Sequence, residues 1–241
     1  MHNRFFTPKS HINPPKAYLN DTKTNHHILN VMRFKEADRL RIFDGEGREF
    51  LVSISNMDSS KIELDIIKQL KKESVNKRGP QIILATCVPK LERFSSLLNE
   101  AVQLGVDRII PIISERSTVK SKEIKPRWQR IVMEATRQSE RLFLPKLEKP
   151  VDLKVFLKKK NEGLRLVFVK GGKSLPSKLS RKERSVWLMV GPEGGFSKEE
   201  LSLFDKGNWQ KISLSRNTLR VETAASFAVG LLMHKLNQDN S

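Results

Sequence analysis

The sequence predicts two folded parts: a small N-terminal β-barrel followed by a parallel α/β domain. Composition, a polar connector and a change of hydrophobic period across that connector all point there. The 241 residues are 38% hydrophobic, too apolar for a disordered chain and long enough for two cores. The connector is Glu73 to Pro80 (ESVNKRGP), whose closing Gly-Pro disfavours continued helix or strand. The expected boundaries are therefore residues 1–72, a linker at 73–80, and 81–241. Charge changes there too, with 13 basic against 9 acidic residues before position 73 and 32 against 18 from it onward.

In the first part, the runs Arg39–Phe43, Glu49–Ile54 and Lys61–Leu70 read as strands, with Asp44-Gly45-Glu46-Gly47 as a hairpin turn. The stretch Thr24–Phe34 reads as helix, with Thr24 as N-cap and Ile28, Val31 and Met32 on one face. In the second part, strands at 81–87, 108–113, 165–169, 186–190 and 209–214 alternate with helices at 91–104 and 127–140. Helices are also expected after the last two strands: Ser197-Lys198-Glu199-Glu200 has capping-box form, and Val221–Leu236 is apolar on most sides. Lys158-Lys159-Lys160 and Lys178–Arg184 read as solvated basic surface, with phosphate tracking as the alternative for both.

Net charge of +18 makes a polyanion the leading class of partner. A membrane surface fits less well, because the basic residues are spread along the chain instead of lying on one amphipathic helix. No signal peptide or membrane span is expected, and the lone Cys87 excludes an internal disulfide or cysteine metal cluster, so a cytoplasmic protein without metal is expected. Cys87 ends an apolar strand far from any histidine in sequence and reads as a structural thiol.

Two segments carry the chemistry. Leu188–Phe196 (LMVGPEGGF) is an apolar strand ending in a loop with three glycines, and ligands of parallel sheets bind beyond the carboxyl ends of strands. The same pattern also describes a tight turn before a helix. Nucleotide fingerprints fail: Gly172-Lys173-Ser174 resembles the end of a phosphate loop, but Val167 stands where its first glycine belongs. The loop at Gly191 is not G-x-G-x-x-G, so a dinucleotide is disfavoured as well. Leu214–Ala224 (LSRNTLRVETA) again runs from strand end through polar loop to helix, offering Arg220 as a cation and Glu222 as a carboxylate.

Together GPEGGFSKEE (191–200) and LSRNTLRVETAA (214–225) resemble the paired C-terminal motifs of the RsmE family, SPOUT-class methyltransferases that act on uridine N3 in bacterial small-subunit ribosomal RNA. The resemblance extends over Arg4-Phe5-Phe6, His26–Phe50, Lys90–Ser117 and Glu134–Leu147. It implies a PUA-like RNA-binding β-barrel, an α/β SPOUT domain with a trefoil knot, and a homodimer. It further implies S-adenosylmethionine held by Val190, Gly191, Pro192, Glu193, Gly194, Gly195, Leu214, Ser215, Asn217, Thr218 and Leu219. Arg220 and Glu222 take the catalytic places, with Glu222 expected to hold Arg220, and Arg4, His27, Arg33 and Arg220 are expected to meet RNA. The small residues after Arg220 suit a close subunit contact. Three positions depart from the family pattern: Ser215 and Ala37 stand where it has glycine, and Asn217 where it has arginine. A SPOUT enzyme for transfer RNA or a ribose hydroxyl, and a ribosome-assembly factor without turnover, are the alternatives.

Overall fold

The computed structural model describes residues 3–74, 79–120, 123–159, 162–176 and 183–238. Residues 75–78 of the expected linker, and Lys160 and residues 178–182 of the expected basic stretches, lie outside these. The chain forms two compact units: Met1–Lys77 with Thr136–Leu144, and Arg78–Ala135 with Pro145–Ser241. The short segment 136–144 thus packs with the first unit.

The first unit is built on strands β1 (Arg4–Phe6), β2 (Ile12–Asn13), β3 (Lys16–Leu19), β4 (Arg39–Phe43), β5 (Arg48–Met57) and β6 (Ile62–Lys72), in the order β1-β4-β5-β6-β3-β2. Only β1 with β4 is parallel. The Thr7 hydroxyl, just beyond β1, donates to the Tyr18 carbonyl of β3 at 2.8 Å, so strands far apart in sheet order meet as the sheet curls. Inside lie Phe5, Leu19, Ile28, Leu40, Ile42, Val52, Ile54 and Leu64. The Asp44–Gly47 turn closes because the Asp44 carboxylate accepts the backbone N–H groups of Glu46 and Arg48, at 2.8 and 3.0 Å.

The helical stretch differs from expectation. Helix α1 (Thr22–His26) is capped by Asp21, whose carboxylate accepts the Thr24 N–H, and it runs into a wider turn at His27–Val31 that closes i to i+5. That extra width rotates Val31 out of the apolar face to 62% exposure while Ile28 stays buried.

Arg4 is buried. Its Nε donates to Glu49 Oε1 at 2.8 Å, and its two terminal nitrogens donate to the carbonyls of Thr136, Arg137 and Arg141 at 3.3, 3.3 and 2.7 Å. The guanidinium lies 3.7 Å from the centre of the Phe43 ring. Burial draws its pKa below the ordinary arginine value, opposed by the hydrogen bond and charge of Glu49. An RNA contact by Arg4 is thereby overturned: every donor points into the first unit, and the side chain is 0% exposed.

The second unit is a parallel sheet. Strands β7 (Gln81–Cys87), β8 (Arg108–Ile113), β9 (Lys146–Leu147), β10 (Val151–Asp152), β11 (Leu164–Lys173), β12 (Ser185–Val190) and β13 (Gln210–Ile212) take the order β10-β8-β7-β12-β11-β13, with β9 also on β8. Helices α2 (Leu91–Gln103), α3 (Pro126–Gln138), α4 (Leu153–Lys158), α5 (Lys198–Lys206) and α6 (Val221–Gln238) complete the elements. Both faces are covered, which is why β7 and β12 are almost wholly apolar. Ile83, Ala85, Trp187 and Met189 join Phe156, Phe204 and Trp209 on one side. On the other, α6 packs against β7, β12 and α2. Among the described residues no helix is long and apolar enough to cross a membrane.

Arg4→Ala should cost about 3–5 kcal/mol, since it strands Glu49 and three carbonyls in the interior. Arg4→Lys should recover only part, lacking the planar fork. Urea unfolding of the three proteins checks this, and a loss below about 1 kcal/mol in the alanine variant would contradict the role given to the pair.

Candidate active site

The fold brings the two chemical loops together. β12 is central and runs out at Val190 into Gly191–Phe196, after which Ser197 caps α5: its hydroxyl accepts the Glu200 N–H, and the Glu200 carboxylate accepts the Ser197 N–H. Within the loop the Gly195 N–H donates to the Pro192 carbonyl at 2.9 Å. Gly195 has φ +67°, a conformation that favours glycine. At Gly191 a Cβ would come within 2.7 Å of the Phe196 ring, so that ring closes under the loop only because the position is glycine.

β13 lies at the sheet edge beside β11, while α6 lies over β7 and β12. The chain from Ser213 to Arg220 must therefore cross back over the carboxyl ends of β11 and β12. The Ser215 hydroxyl accepts the Asn217 N–H at 3.0 Å, and its carbonyl accepts the Ser213 hydroxyl at 3.1 Å, so this serine closes the turn itself. Its φ is not in the left-handed region. At Ala37 the backbone is left-handed, φ +69°, a conformation that favours glycine.

The two loops and the end of β11 enclose a pocket of about 370 Å3. All eleven residues from Val190 through Gly195 and from Leu214 through Leu219 named above as cofactor residues line it. The lining also includes Phe168, Val169, Lys170, Phe196 and Ser213, which the sequence did not single out. The missing signal is strand order: beyond the carboxyl end of β11 is a site only once β11 is known to lie between β12 and β13. Gly172, which mimicked a phosphate loop, sits in β11, where a Cβ would lie 2.6 Å from the Ile212 backbone. Its role is close strand approach.

Apolar walls, a glycine-rich loop, and Lys170 and Glu193 as the charged lining residues suit a small ligand with an apolar part and a charged end. Leu219 and Val221 line the pocket; Arg220 between them is exposed and outside the lining. Glu222 does not hold Arg220. It pairs with Arg93 of α2, with Nε 3.8 Å from Oε1, and its second oxygen is buried with no hydrogen-bond partner among the described residues. The reason is helical phase: residues two apart point to different sides of a helix start. His27 and Arg33 are exposed on the first unit, the latter with φ +56°.

Comparison with known proteins identifies the family. The model of an RNA methyltransferase domain matches residues 76–233, and that of an RNA methyltransferase PUA domain matches residues 19–67. The class is thus an RNA methyltransferase with a PUA-type module. Ribosomal RNA small subunit methyltransferase E of Rickettsia conorii is 36% identical over 85% of this chain and 84% of its own. The protein of that name from Aquifex aeolicus is 34% identical over 78% and 82%. A crystal structure of ribosomal RNA small subunit methyltransferase E from Neisseria gonorrhoeae bound to S-adenosyl methionine superposes with TM-score 0.84 at 26% identity, covering 97% of this chain and 98% of that one. The chain belongs to the ribosomal RNA small subunit methyltransferase E family.

Cys87 is buried at the end of β7, donating to the Ser114 hydroxyl at 3.4 Å, and burial pushes its pKa up to about 11. At pH 8 only about one molecule in a thousand would carry the thiolate, the reactive form. A disulfide reagent should leave the folded protein unlabelled at pH 8 and modify one thiol after unfolding; rapid labelling of the native protein would contradict the assignment.

Proposed function

We propose that this protein transfers a methyl group from S-adenosylmethionine to N3 of a uridine in small-subunit ribosomal RNA. The observation that carries the reading is the pocket that the glycine loop and the crossing segment form together at the carboxyl end of the parallel sheet. Its residues fit the cofactor. Phe168, Val169, Leu214 and Leu219 would offer apolar surface to an adenine ring, the loop backbone N–H and C=O groups to its polar edges, and Lys170 and Glu193 opposite charges to an amino-acid tail. When bound, the cofactor supplies an electrophilic methyl group on a sulfonium.

Uracil N3 becomes nucleophilic only when its proton leaves, so the site must favour the anionic base. Arg220, exposed beside the pocket, is placed to stabilise charge on the uracil carbonyl oxygens. Glu222, which faces Arg93 of α2 and not Arg220, follows the pocket-lining Val221 at the start of α6 and remains the candidate carboxylate of the mechanism. Gly191–Gly195 and Leu214–Leu219 hold the donor in place, and positioning supplies much of the rate for a direct displacement. The knotted topology implied by the family accounts for the crossing of residues 213–220. His27 and Arg33 are the candidate RNA contacts on the first unit, and the net charge supports a salt-sensitive complex with an assembled subunit. A homodimer is what the family resemblance implies, with the small residues at the start of α6 suited to a close contact. The place of action is the cytoplasm.

Labelled S-adenosylmethionine and small subunits from a strain lacking the enzyme should yield label in 3-methyluridine. Label in another nucleoside or in transfer RNA would refute the target. Arg220→Ala should lower turnover about 100-fold or more while cofactor affinity stays within about twofold; unchanged turnover would remove Arg220 from the mechanism.

A further inference from the structure

The glycine loop has a restraint from outside its own strand and helix. Three glycines in five residues leave its backbone many conformations, so a loop ready to receive a ligand needs external contacts to hold one of them. One contact comes from the turn after β8. There the Ser117 N–H donates to the Ser114 carbonyl at 3.1 Å, and the Ser114 N–H donates to the Ser117 hydroxyl at 2.9 Å. Both serines are buried, and Cys87 donates to the Ser114 hydroxyl from below. The Glu115 N–H donates at 2.8 Å to Oε1 of the buried Glu200, whose other oxygen accepts the Ser197 N–H at 2.9 Å. One carboxylate thus joins this turn to the end of the glycine loop.

Between Ser114 and Ser117 the Arg116 side chain reaches the middle of that loop. Its Nη1 donates to the Gly194 carbonyl at 3.0 Å. Its methylenes lie 3.6 and 3.7 Å from where a Gly194 Cβ would stand. We infer that Arg116 is a positioning residue for the cofactor-binding glycine loop, latching the Gly194 carbonyl so that the backbone of Gly191–Gly195 is preorganised toward the pocket. The inference rests on the function proposed above. Because Arg116 is exposed and only the flanking Ser114 and Ser117 of its turn are buried, replacing it removes the latch without opening a core.

The test is calorimetric titration of the full chain with S-adenosylhomocysteine, alongside steady-state kinetics and small-subunit binding. Arg116→Ala should weaken cofactor affinity about tenfold, equivalent to about 1.4 kcal/mol, and Arg116→Lys by less, since an ammonium still donates one bond. The KM for S-adenosylmethionine should rise by a similar factor, with kcat and subunit affinity within about twofold of the parent. Parent-like cofactor affinity in Arg116→Ala overturns the inference, as does a loss confined to subunit binding, which would make Arg116 an RNA contact. A parent protein that binds no cofactor would instead refute the function on which the inference rests.

Discussion

The candidate site depends on one constraint of connectivity. β11 is inserted between β12 and β13, yet α6, which follows β13, must cover the apolar face of β7 and β12 on the far side of β11. A chain leaving the sheet edge can reach that face only by passing over the strand ends between them. That passage is residues 213–220, and it presses against the glycine loop leaving β12. Burial of the apolar faces of the central strands therefore brings the two loops together, and the pocket is the space left between them.

Buried charge has a different task from exposed charge here. Most of the cations are surface groups, which attract a polyanion and gain little from individual carboxylates. Arg4 and Glu200 are the opposite case. Each is buried and meets several partners, so each ties backbone segments distant in sequence: Arg4 joins β1 to residues 136–141, and Glu200 joins the β8 turn to the start of α5. Such groups are costly to bury and more costly to leave unpaired, which makes the segments they join move together.

Much of this was legible in the sequence wherever a local rule governs. The expected spans 39–43, 81–87 and 108–113 coincide with β4, β7 and β8, because apolar runs bounded by turn residues have few alternatives. The capping box at Ser197 is present as expected, and the eleven loop residues converge on one pocket. Other elements follow nonlocal rules. β1, β2, β3, β9, β10 and α4 are too short to show a period and exist through their neighbours. Val31 left its face because the helix widened, and Arg4 proved structural because its carbonyl partners lie more than a hundred positions away in the chain.

What the sequence by itself determined is the kind of each part: a β-rich first unit, a parallel α/β second unit, two loops carrying glycine, arginine and glutamate, and the family to which they belong. The first three follow from period, turn chemistry and residue type, which are properties of short segments, and the family from the resemblance of its motifs. Only the tertiary structure decided which charged groups meet. Glu222 turned to Arg93 instead of Arg220, Arg116 reached Gly194, and Lys170 joined the pocket wall. Strand order and the meeting of segments distant in sequence govern these pairings: Arg93 stands on α2, Arg116 on the turn after β8 and Lys170 in β11, and spacing along one chain does not say which of these lie side by side.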